Sequence, residues 1–143
     1  MEKTKVMVYF TIFGETFPLD YVTDKLGITP TMTYKKGDVI PRRSKTLYRK
    51  ETSWVFGTSY EESFDVNEQL KQVIIPLKNQ ISIISDIKKK YAVECQFNIV
   101  IVIEDGNTPG LHLDRDVINF ASLIDAEFDI DLYANPYEND EDY

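Results

Sequence analysis

The chain of 143 residues has one cysteine, Cys95, and one histidine, His112. A lone thiol excludes an internal disulfide framework and fits a reducing compartment. A lone imidazole leaves one candidate for any mechanism that needs a histidine base. The spacings that carry familiar chemistry are missing too: there is no G-x-S-x-G, Walker loop, G-x-G-x-x-G, H-E-x-x-H, EF-hand or paired Cys/His pattern. No apolar run approaches the roughly 20 residues that span a bilayer. In the opening MEKTKVMVYFTIFGETF two lysines precede an apolar run. Glu15 soon interrupts it, Tyr and Thr alternate through it, and no small-residue cleavage site follows. It reads as a strand and not as a signal peptide. The expectation is a cytoplasmic protein without a membrane segment, cofactor or metal.

Positive charge is nearly missing from the last third. Residues 104–143 hold one basic residue, Arg115, against 12 acidic ones, a balance of -11. Residues 1–103 hold 15 basic and 12 acidic residues, a balance of +3, which together give the formal net charge of -8. Such an acidic end repels phosphates over a Debye length of about 8 Å, so it disfavours nucleic acid and suits a basic protein partner.

Against that background stands YKKGDVIPRRSKTLYRKETSW, Tyr34 to Trp54, with seven of the sixteen basic residues: Lys35, Lys36, Arg42, Arg43, Lys45, Arg49 and Lys50. Pro41 restricts the backbone just before two planar bidentate donors, and Gly37 allows a tight turn between Lys36 and Asp38. Tyr34, Tyr48 and Trp54 add aromatic surface of the sort enriched at binding hot spots. Three readings stay open. The charges solvate a long loop or pair with the acidic third, within one chain or between two copies. They bind a protein or a small anion. Or, interleaved with aromatics, they track single-stranded nucleic acid. The candidate binding residues are Lys36, Asp38, Arg42, Arg43, Arg49 and Trp54, with Asp129, Asp131 and Tyr133 from the acidic end.

The hydrophobic share of 43% and charged share of 28% are those of a globular domain, and the length suits one such domain over residues 1–134. Residues 135–143, acidic and without apolar pattern, read as a disordered tail. Val6, Val8, Phe10 and Ile12 alternate with Met7, Tyr9, Thr11 and Phe13 in a first strand that Gly14 ends. Asp20 is expected to cap a short helix with Val22 and Leu26, stopped by Gly27. The next stretch, to Ser53, is expected to be loop or irregular strand, and Ser53 to Tyr60 a second strand. Asp65 and Glu68 open a helix carrying Val66, Leu70, Val73, Ile74 and Leu77, which Pro76 should kink or end. A further helix follows with Ile81, Ile84, Ile87 and Tyr91 on one face. Glu94 to Asp105 reads as a central strand. Asp114 caps a helix with Val117, Phe120, Ala121 and Ile124 inward, and Phe128, Ile130 and Leu132 alternate with Glu127, Asp129, Asp131 and Tyr133 in a last strand.

Two strand–helix–strand units, each with a Leu-Asp pair at its helix start, flank the central helices. The expected class is α+β: a two-layer α/β sandwich, a mixed sheet of about four strands with helices on one face.

The order Gly14-Glu15, Leu26-Gly27-Ile28 with Pro30, Lys36-Gly37-Asp38, Ser53-Trp54 and Phe128 to Tyr133 resembles the bacterial domain-of-unknown-function family 4279, from about residue 6 to 134. The resemblance implies a small cytoplasmic bacterial protein and carries no established activity.

His112, Asp114, Asp116, Asp129 and Asp131 could be imagined around a hard cation. Their places in the pattern argue otherwise: a cap, a first-turn acid and an outward strand face. Cys95 lies in a buried strand without an electropositive flank. The sequence therefore points to a non-catalytic interaction module, with an antitoxin or immunity type as the finer expectation. That module would meet a protein partner or a second copy of itself through Asp125 to Asp142, with Tyr133 and Tyr137 as anchors. The alternative is a module binding an anionic ligand or nucleic acid through the loop 35–54.

Overall fold

The computed structural model describes residues 2–42 and 45–136. Strict alternation sets the centre of the sheet. Strand β1 (Lys5–Gly14) and strand β7 (Glu94–Ile103) pair antiparallel from Lys5↔Val102 to Phe13↔Glu94. In this register Val6, Val8, Phe10 and Ile12 share a face with Cys95, Phe97, Ile99 and Ile101, and all eight are buried. Four helices cover that face: α1 (Leu19–Leu26), α2 (Val66–Leu77), α3 (Ile81–Tyr91) and α4 (Arg115–Leu123). Their apolar stripes, including Val22, Leu70, Ile84 and Phe120, join the strand residues in one core, where Phe97 meets the rings of Phe10, Phe120 and Phe128. No described helix is long and apolar enough to cross a membrane.

Strand β8 (Ala126–Ala134) runs parallel to β7 from Cys95↔Ala126 to Ile103↔Ala134, joined to it through α4. On the other side of β1 lies β5 (Thr52–Gly57), antiparallel, and beyond it β2 (Met32–Tyr34). The order β2-β5-β1-β7-β8, with β6 (Glu61–Glu62) pairing the start of β1, makes six strands. The class and the helix-covered face match the expectation, but the sheet is larger than about four strands. The stretch expected to be loop or irregular strand supplies β2 and also a separate hairpin, β3 (Val39–Ile40) with β4 (Leu47–Tyr48). Strands of two or three residues leave no measurable alternation, which is why pattern alone passes over them.

Helix boundaries follow cap chemistry with one correction. Asp65 accepts from the N–H of Asn67 and Asp114 from that of Val117, so both cap as expected. Asp20 does not cap α1. The N-cap is Pro18, and Asp20 sits inside the first turn, where its charge suits the helix dipole. Gly27 ends α1 in the left-handed region at φ 66°. Pro76 is the penultimate residue of α2, so the hydrogen bond it cannot donate falls in the final turn.

Candidate functional site

The pleat sends every second side chain away from the helices, and the face so formed is where charge and exposed aromatic surface gather. Met7, Tyr9 and Thr11 of β1 are flanked by Val55 and Gly57 of β5 and by Met32 and Tyr34 of β2. On the other side come Gln96, Asn98 and Val100 of β7, then Glu127, Asp129, Asp131 and Tyr133 of β8. Thr11, Val55, Asn98 and Val100 are buried there, and Asn98 Nδ2 donates to Thr11 Oγ1 at 3.0 Å.

A shallow pocket of about 490 Å³ opens between β1, β2 and β5, lined by Tyr9, Met32, Tyr34, Arg49, Val55 and Gly57 among others. The Arg49 guanidinium stacks over the Tyr34 ring, 3.9 Å from its centroid. The Tyr9 hydroxyl is held above its ordinary pKa, first by burial and next by the negative charge of Asp131. One face therefore carries a cation on its β2 side, carboxylates on its β8 side and tyrosines between them.

The basic segment is built as a pinned loop. Asp38 accepts the Lys35 N–H at 2.8 Å through its carboxylate, and its carbonyl accepts the Arg49 N–H at 2.8 Å. Gly37, at φ 94°, donates its N–H to the Arg49 carbonyl. Asp38 thus closes its own turn and fixes Arg49 over Tyr34. Lys36 Nζ lies 2.7 Å from Glu15, and its backbone N–H donates to Thr52 Oγ1. Arg42 is exposed, and Arg43 lies outside the described residues.

Trp54 requires a correction. It is fully buried on the helix side, with its Nε1 donating to Thr23 Oγ1 of α1 at 3.0 Å. It is a core residue that no partner can reach. The register Ile12↔Trp54 places it beside β1's inward side chains, and position alone, two residues after Thr52, does not reveal that side.

Asp129, Asp131 and Tyr133 are exposed on β8, and Tyr137 lies outside the described residues. Glu127, Asp129 and Asp131 have no ion pair among the described residues. Lysines do pair elsewhere, Lys3 with Glu62, Lys71 with Asp114 and Lys88 with Asp125. None of these contacts links the basic segment to β8. Strand β2, from which the basic segment leaves, and β8 form opposite edges of the sheet, four strand spacings or roughly 19 Å apart. Among the described residues, no ion pair docks the basic segment on the acidic strand.

The residues that the sequence reading passed over are Tyr9, Met7 and Met32. Their signal was present in the mixed second face of β1, where Met7, Tyr9 and Thr11 alternate with the core. His112 is exposed, and no group of three or more His, Cys, Asp or Glu among the described residues is placed to hold a metal ion. Burial pushes the Cys95 thiol up to about 12. A second groove of about 460 Å³, between α2 and α4, is lined by Ile75, Phe120 and Leu123 with Lys71 and Lys78 at its rim.

The model of the family described as "Domain of unknown function (DUF4279)" matches residues 2–135, nearly the whole chain. No curated protein and no solved structure matches the chain.

Proposed function

The chain belongs to the DUF4279 family, and we propose that it is a non-catalytic protein-interaction module whose acidic β8 face receives a basic partner. One observation carries this reading: Glu127, Asp129 and Asp131 point to the same side of an outermost strand, exposed and without a cation among the described residues. Carboxylates arranged so steer a basic surface over distance and set its orientation, while Tyr133 supplies rigid amphipathic contact area beside them. The -11 balance of residues 104–143 strengthens that field.

The finer form is an antidote or immunity role in the bacterial cytoplasm, with the carboxylates covering the basic active site of a toxic enzyme. Co-expression with the product of a neighbouring gene tests it. The wild-type chain should relieve growth inhibition and the double variant Asp129→Lys with Asp131→Lys should not. Neighbouring products that never impair growth, or rescue unchanged by the charge reversal, would overturn it.

A second reading is favoured by the Arg49–Tyr34 stack at the pocket on the same face. There the chain would hold a small planar anion, with Arg49 on the anionic group and Tyr9 and Tyr34 beside the ring. In that case Arg49→Ala, rather than charge changes on β8, abolishes ligand binding.

A further inference from the structure

We infer that the free edge of β8 is a strand-addition site for an extended segment in which lysine or arginine alternates with apolar residues. This rests on the interaction reading above and specifies its geometry. Pairing with β7 uses one side of β8 along all nine residues, and no described strand pairs the other side.

Which groups face outward follows from one hydrogen bond. Asn135 donates its N–H to the Ile103 carbonyl at 2.9 Å. Backbone groups alternate sides along a strand, so those of Glu127, Asp129, Asp131 and Tyr133 also turn toward β7. The N–H and C=O groups of Phe128, Ile130, Leu132 and Ala134 therefore face the free edge.

Edges left open are normally guarded by brevity, proline, a bulge or lysine. The far edge of this sheet is guarded: β2 has three residues and runs into Lys35 and Lys36. The β8 edge is not. It has nine residues without Pro, Gly or Lys, beyond the mean strand length of about five to six.

The two faces of β8 specify the occupant. Glu127, Asp129 and Asp131 stand on one face, and Ile130 and Leu132, 37% and 61% exposed, on the other. A second copy fits poorly. Antiparallel pairing about a two-fold at Ile130 sets Asp129 opposite Asp131 of the partner twice, and like charges directly opposite destabilise a ladder. A strand with cations on one face and aliphatic side chains on the other meets both surfaces.

The test uses the full chain and acetylated decapeptides of alternating lysine and valine. One is unmodified, one is N-methylated at the valines, one at the lysines, and in one glutamate replaces lysine. In antiparallel addition the peptide residue opposite Ile130 is a valine whose N–H points at β8; in parallel addition the lysine N–H groups do. The inference expects the unmodified peptide to bind and one methylated series alone to bind at least tenfold more weakly. It also expects no binding by the glutamate peptide. On binding, hydrogen exchange should slow at the amides of Phe128, Ile130, Leu132 and Ala134. Equal binding by both methylated series, without that alternating protection, overturns strand addition and leaves the acidic-surface reading standing. No binding by any lysine peptide overturns both. Because the decisive change is made in the peptide, no variant has to fold.

Discussion

Gly57 stands where two strands come closest. A Cβ placed on it would lie 2.3 Å from the Tyr9 Cβ, 2.4 Å from the Val8 carbonyl oxygen and 2.6 Å from the Tyr9 Cα. Two of these neighbours are backbone, which cannot swing aside as a long side chain can. The Thr58 N–H also donates to that carbonyl, and Thr58 Oγ1 accepts the Val8 N–H at 3.1 Å. Relief would mean breaking this end of the β1–β5 pairing. Gly57→Ala should therefore destabilise by about 3 kcal/mol, the upper end for an overpacked site. For a chain of this size that is roughly a 10 °C fall in Tm. Calorimetry checks it, and a change of only a degree or two would mean that β5 shifts freely. Nothing in the local sequence marks Gly57 as different from the turn glycines. Its constraint comes from Tyr9, 48 positions away.

Elements were legible where length gave the pattern room. β1 and β8 declare themselves by alternation, β7 by a near-continuous apolar run, α3 by its apolar stripe, and α2 and α4 by stripe and cap. β2, β3 and β4 do not, because three residues or fewer hold no period and their pairing is fixed by Asp38, Arg49 and β5 instead. The Leu-Asp resemblance between the two helix starts also held only in part. Asp114 caps α4, whereas Asp20 lies inside α1 behind Pro18.

Asp114 does more than cap. Its Oδ2 accepts from Asn67 Nδ2 at 2.9 Å and lies 3.2 Å from Lys71 Nζ, tying the start of α4 to α2. The Val117 N–H, then Asn67, then Lys71 hold its carboxyl down to about 2. A depressed carboxyl stabilises the fold above its unfolded pKa, and that contribution disappears as pH falls from about 4 through 2. At pH 7 the denaturation midpoints should rank wild type above Asp114→Asn above Asp114→Ala, since asparagine keeps the cap and loses the charge. By pH 2 wild type and Asp114→Asn should converge. Parallel profiles across that window would show that the charge contributes nothing.

At the scale of the molecule, the sequence announced two opposite charge centres but not their separation. A count of charges carries no strand order. β8 returns beside β7 through α4, and β2 is placed beyond β5, so the strand from which the basic segment leaves and the acidic strand take the two edges of one sheet. Among the described residues the two regions do not neutralise each other. This placement also gives the carboxylates of β8 a second consequence, since they stand in place of the lysines and prolines that usually guard an edge. The variant Glu127→Gln, Asp129→Asn, Asp131→Asn removes the repulsion between two such edges and keeps side-chain size and β8's pairing with β7. Self-repulsion of the acidic third also falls, so the folded chain should be as stable as wild type or slightly more so. Two variant edges can then pair, with Ile130 and Leu132 of each copy extending one apolar face across the junction. Sedimentation velocity over a concentration series should show wild type unchanged and the variant forming dimers or larger species. Raising salt should move wild type in the same direction, because screening acts on the same charges. A variant that stays monomeric throughout would mean that something other than charge keeps the β8 edges apart.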